Sequence, residues 1–198
     1  QHLYFWLVYS LLYVYWIFFT DYKKYFTKKV GEIQIKKMDF AEHFSFWGFK
    51  VLHVFLFVAL PIYIVGWSSW LLGFLAYSLF AGFILSIVFQ LAHTVELTHF
   101  PVLDTANRKV EDEWAVHQLK TTANFATKNK IVSWFTGGLN FQIEHHLFPN
   151  ISHIHYPALS AIVQQACREY SLPYLQFAKV RTAIASHISH LKQMGKKR

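Results

Sequence analysis

The stretch GGLNFQIEHHLFPN, residues 137–150, sets Gln142 three and four residues before His145 and His146, and Pro149 closes the run. Positions three and four apart share a helix face, so all three side chains can project into one site. Adjacent histidines diverge by about 100° on a helix of 3.6 residues per turn. Such a pair suits two metals flanking the helix better than one small ion. Imidazole ligates iron, zinc and copper. A fourth candidate, His93, ends a long apolar run, with Gln90 one turn before it and Glu96 one turn after. An imidazole at that boundary can face both a metal and a lipid-derived substrate.

The other histidines carry blander readings. His43, His53 and His117 are assigned to packing or solvent. His153 and His155 alternate like a ligand pair, but a loop beside Pro157 also explains them. His187 and His190 share a face of a basic helix, which is more often solvated surface than ligand.

The elements that position these residues are largely apolar. The 198 residues are 54% hydrophobic and 19% aromatic, with only 15% charged against about a quarter in soluble domains. That deficit points to a membrane protein. Residues 51–92 contain no Asp, Glu, Lys or Arg, and their length supplies two helical crossings of a ~30 Å hydrocarbon core. The break is read at VGWSSW, residues 65–70, with Trp67 and Trp70 as interfacial anchors. The expected transmembrane helices are 48–66 and 70–92. Residues 1–20 form an aromatic-rich membrane or interfacial helix, with nine aromatics between Leu3 and Thr20.

Lysines precede the hairpin (Lys23, Lys24, Lys28, Lys29, Lys36, Lys37, Lys50), and Arg108, Lys109, Lys120, Lys128 and Lys130 follow it. By the positive-inside rule both ends are cytoplasmic. The net charge of +8 therefore reports topology and anionic lipid, with no aromatic-interleaved basic stripe that would suggest nucleic acid. Cys167 is the single cysteine, which excludes an internal disulfide framework. Residues 93–198 hold nine of the twelve histidines and read as a cytoplasmic helical region. Its helices are EDEWAVHQLKTTANFA from Glu111, with an acidic first turn; NFQIEHHLF; YPALSAIVQQACREYSL; and a basic AIASHISHLKQMGKKR. In the third, Leu159, Ile162, Val163 and Ala166 recur at helical spacing. The fold class expected is an all-α membrane protein: a transmembrane hairpin, an aromatic-rich helix, and a cytoplasmic helical cap carrying the histidines.

FQIEHHLFP resembles the third histidine box of membrane fatty-acid desaturases, in the variant where glutamine replaces the first histidine. That variant marks front-end desaturases, which act between an existing double bond and the carboxyl end. FQLAHTVE, WAVHQLKTTANFA and LFPNISHIHYPALSAIV extend the likeness over most of the chain. The resemblance implies a di-iron centre at the cytoplasmic face. There His145 and His146 are paired ligands, His93 is the ligand at the end of the last membrane helix, and Gln142 is a weak or outer partner. It further implies an acyl-CoA or acyl-lipid substrate, O2, and an electron donor of haem-carrier or ferredoxin type. Such a family also uses H-D-x-x-H and H-x-x-H-H boxes. Neither occurs here, so the chain, which opens on Gln1, is expected to be the back part of a longer protein and inactive alone. A membrane di-iron hydroxylase is the nearest alternative. A His-rich metal transporter is the more distant one, since such a protein places polar or ionisable ligands within its spans and His53 is the only histidine in residues 51–92.

Overall fold

A computed structural model describes residues 1–31, 33–99 and 113–196. The chain forms two compact units, one of Trp6–Leu85 and one of Gln1–Phe5 with Ser86–Arg198. It is mainly helical, with two minimal ladders of two residues per strand: antiparallel β1 (Lys29–Val30) with β2 (Ile33–Gln34), and parallel β3 (Asn124–Phe125) with β4 (Gln176–Phe177). These ladders are a small departure from the all-α expectation.

In the first unit the aromatic segment runs beyond residue 20. It comprises α1 (Phe5–Ser10), α2 (Leu12–Tyr15), a π-helical turn at Trp16–Thr20, and α3 (Asp21–Thr27). Asp21 enters the helix because Lys50 of α4 (Phe40–Val54) pairs with it at 2.7 Å. The ammonium also lies 5.0 Å from the Tyr22 ring centre. α4 starts at a capping box: Asp39 accepts from the Glu42 backbone N–H, and Glu42 accepts from that of Asp39, each at 2.8 Å. The helix therefore begins eight residues before position 48. It continues through a π turn (Phe55–Ala59) into α5 (Leu60–Val65). Pro61 lacks the N–H that would reach the Phe57 carbonyl in a regular helix; the Trp70 indole N–H donates to that carbonyl instead, at 2.8 Å. Trp70 is thus a backbone partner, beyond the anchor expected of it.

The break between the long helices is a single residue. Gly66, at φ +80°, ends α5, and α6 (Trp67–His93) begins immediately. Ser68 and Ser69 lie inside α6 rather than in a loop, because Gly66 alone interrupts the helical conformation. Phe40–Val65 and Trp67–His93 are both long and apolar enough to cross a membrane. Small residues let α6 pack closely: Ser78 and Gly82 are buried one turn apart, and a Cβ on Gly82 would overlap the Ser10 carbonyl.

In the second unit, two apolar clusters hold the shorter helices together. Leu91, Phe125, Ala126 and Ala183 form one; Leu119, Ile143, Val163 and Cys167 form the other. The helix around WAVHQLKT is short, α7 (Trp114–Thr121), and the following residues turn into β3. Its expected acidic residues Glu111 and Asp112 lie outside the described residues. α10 (Tyr156–Glu169) starts with Pro157 in its first turn and buries Tyr156, Ser160, Val163 and Cys167. Ile162, expected on that face, is exposed because the buried stripe is offset from the purely apolar one. α11 (Val180–Met194) is likewise no solvated helix: Ala183, Ser186, His187 and Leu191 are buried.

Gly82→Leu is expected to destabilise the protein by about 1–3 kcal/mol through overpacking. Thermal unfolding in detergent, followed by fluorescence-detected size exclusion, will show a lower midpoint; an unchanged midpoint would contradict the close approach.

Candidate metal centre

The short helix α9 (Gln142–Leu147) is delivered by a tight turn. α8 (Lys130–Phe135) ends in a Schellman arrangement, with Gly138 N–H on the Ser133 carbonyl and Gly137 N–H on that of Trp134. Both glycines have positive φ, +59° and +81°. A side chain on Gly138 would collide with the Cβ of His153, so this exposed histidine is accounted for by packing. His155 is also exposed, and neither joins the other site residues. α9 ends at Leu147, and Phe148 caps it directly before Pro149.

Three of the four expected residues meet. The Gln142 Nε2 lies 3.2 Å from His93 Nε2 and 3.2 Å from His146 Nε2. The His93 and His146 ring centres are 5.0 Å apart. His145 stands apart from this trio, its ring centre 5.7 Å from that of His146 and its plane nearly perpendicular.

Proton positions follow from the partners. Gln118 Oε1 only accepts, so His146 Nδ1 donates to it at 2.7 Å. The Thr121 carbonyl takes the Nδ1–H of His93 at 3.4 Å. Both Nε2 atoms then carry lone pairs, and the two N–H groups of the Gln142 amide donate to them. Burial, followed by the neighbouring His93 and His145, pushes His146 down to about 4, so its imidazole is neutral near pH 7. His145 Nδ1 meets the Tyr156 hydroxyl at 3.2 Å. Fixing one ring nitrogen while leaving the other open is the arrangement metal-ligating histidines use. The donor set therefore fits a metal, though among the described residues no three of His, Cys, Asp or Glu surround one point. Further ligands are needed to complete a centre here.

Several supporting residues were not anticipated. Glu144, fully buried, accepts from Tyr174 at 2.8 Å and from Asn124 at 2.7 Å. Asn124 also accepts the Ile143 backbone N–H at 2.9 Å, tying β3 to the first turn of α9. Burial pushes the Glu144 carboxyl above its ordinary range, opposed by those hydrogen bonds. Its signal in the sequence was an acidic residue set between Gln142 and His145 on the same short helix. His187, expected at the surface, donates from Nδ1 to the Thr94 carbonyl at 2.6 Å and meets Phe5 edge-on. It clamps the turn directly after His93. His117, beside Gln118, has its Nδ1 buried and without a hydrogen-bond partner among the described residues.

A family model described as fatty acid desaturase matches residues 1–178. The chain belongs to the fatty acid desaturase family. It is 37% identical over 197 residues to an acyl-lipid (8-3)-desaturase of Physcomitrium patens, covering 98% of this chain and 41% of that protein. It is also 37% identical to an sn-1 linoleoyl-lipid 6-desaturase of Synechocystis sp., covering 99% and 55%, and 35% identical to one from Arthrospira platensis, covering 98% and 53%. This desaturase chain thus spans about half the length of the curated relatives it matches. No solved structure matches it significantly.

Asn124→Ala leaves the buried Glu144 carboxylate short of a donor and the Ile143 N–H without its acceptor. A loss of about 2–3 kcal/mol is expected. Denaturation of the purified protein will show it, and wild-type stability would mean the network does not support α9.

Proposed function

We propose that this chain carries the glutamine-variant histidine box of a front-end acyl-lipid desaturase. His93, His145 and His146 ligate a di-iron centre on the cytoplasmic side, and Gln142 lies beside it. What carries the reading is the convergence of His93 and His146 Nε2 on the Gln142 amide. The names of the relatives, acyl-lipid 8-3 and 6-desaturases, favour an acyl lipid as substrate and front-end regiochemistry.

Iron held there would supply the oxidation in which two adjacent methylenes lose one hydrogen each, while O2 takes up two electrons from a haem-type carrier or ferredoxin and two protons from solvent to leave as two waters. The residues of this chain prepare that chemistry. Gln118 and Thr121 hold two imidazoles in the tautomer that exposes Nε2. For His145 the same tautomer has Nδ1 donating to Tyr156. Phe141 and Ile143, both buried, keep water from the base of α9. The amide of Gln142 is a poor iron ligand, so its part is to orient the two rings and to fill the space between them.

In the full-length enzyme, His145→Ala and His146→Ala are each expected to abolish desaturation. Gln142→Ala is expected to lower product on the order of 10–100-fold, as loss of outer partners does. Gln142→His is expected to retain part of the activity, since imidazole reaches the same point. Gas chromatography of cellular fatty acids, normalised to protein level, measures all four variants. Wild-type yield from His145→Ala would overturn the ligand assignment, and wild-type yield from Gln142→Ala would remove Gln142 from the site.

A further inference from the structure

The first unit contains a cavity of about 670 Å³ that the iron chemistry does not use. Two helices line it with matching faces. Ile17, Asp21, Lys24, Tyr25 and Lys28 come from the aromatic helix, and Glu42, Phe46, Phe49, Lys50 and His53 from α4. Each set follows the same i, i+4, i+7, i+8, i+11 spacing. The third wall is folded into place by the β1–β2 hairpin. Lys28 takes a left-handed conformation (φ 54°) and Gly31 turns the hairpin (φ 58°), so the Ile35 N–H returns to the Lys28 carbonyl at 2.8 Å. Ile35, Lys36 and Met38 then close the side.

Charge is distributed unevenly in this cavity. Lys50 is neutralised by Asp21, and Glu42 is engaged in the cap of α4. Among the described residues Lys24, Lys28 and Lys36 have no acidic partner, which leaves three ammonium groups around one opening. Apolar side chains, Ile17, Ile35, Phe46 and Phe49, share the lining with them. α4 continues from there as exposed apolar helix, with Val54, Phe55, Leu56 and Phe57 all on the surface.

We propose that this cavity binds the headgroup of an anionic phospholipid, with the phosphate among Lys24, Lys28 and Lys36 and the upper acyl chain against the apolar lining. Lysine binds phosphate as a point charge, and basic residues beside a membrane helix attract anionic lipid. The volume suits a small-molecule site. A free inorganic anion would leave the apolar lining unused. A zwitterionic lipid would bring its own cation among three others. The proposal is independent of iron and of desaturation.

The test is calorimetric titration of the purified full-length protein in detergent with short-chain phosphatidylglycerol, phosphatidylcholine and inorganic phosphate. Saturable phosphatidylglycerol binding is expected, at least about tenfold tighter than either of the others. The triple variant Lys24→Gln, Lys28→Asn, Lys36→Gln is expected to lose about tenfold or more in affinity. The control Lys23→Gln, Lys29→Gln, Lys37→Gln, equal in net charge, is expected to change it by about twofold or less. Lys36→Glu alone, at an exposed position without a partner, is expected to weaken binding several-fold and guards against misfolding of the triple variant. Equal losses in both triples would reduce the effect to diffuse surface charge and overturn the site. So would phosphatidylcholine binding as tightly as phosphatidylglycerol, or inorganic phosphate binding as tightly as the lipid.

Discussion

The candidate metal centre depends on one amide. Gln142 carries two N–H groups on a single nitrogen, and each is directed at the Nε2 of a different imidazole, His93 and His146. An amide nitrogen can only donate, so both Nε2 atoms must be acceptors. That requirement fixes the tautomers, which in turn require carbonyl acceptors at both Nδ1 atoms. Gln118 and Thr121 provide them. The side chain of one residue thus sets the protonation of two histidines 53 positions apart in the chain. The same lone pairs that accept from Gln142 are the ones a metal would take.

A site organised this way needs α9 held firmly, and the chain achieves this with buried polar groups. Asn124 accepts from the Ile143 backbone while donating to Glu144 and Tyr174. Tyr174 donates its O–H to Glu144 and accepts from Ser160 and Asn124, so the donors of Asn124, Tyr174 and Ser160 are all engaged. Buried carboxylates are costly unless satisfied, which makes this network sensitive to the loss of any member. His187 does comparable work on the other side, fixing the turn that follows His93. The geometry of the candidate site is thus a consequence of residues outside it.

How much of this could be read from the sequence depended on the range of the interaction. The helical spacing of Gln142, His145 and His146 is local, and α9 forms where that spacing places it. Two long apolar helices followed from residues 51–92, again a local property. Their ends were less legible. The capping box at Asp39 starts α4 before the uncharged stretch begins, and Gly66 alone makes a break that Ser68 and Ser69 had suggested was longer. Contacts between distant segments left little trace. Asn124 and Tyr174 are polar residues in unremarked positions, and only tertiary packing turns them into supports. For α11, a basic helix with two histidines on one face resembles a solvated surface until Phe5 and Thr94 are seen to cover His187.

The central claim is that His93, His145 and His146 offer their Nε2 atoms to iron while Gln142 stands beside them. Anomalous diffraction at the iron absorption edge, from crystals of the full-length iron-loaded protein, tests this most directly. The account predicts two iron peaks, bonded to the Nε2 atoms of these three histidines, with the Gln142 amide adjacent. Iron peaks remote from His93 and His146, or bonded through Nδ1, would contradict it.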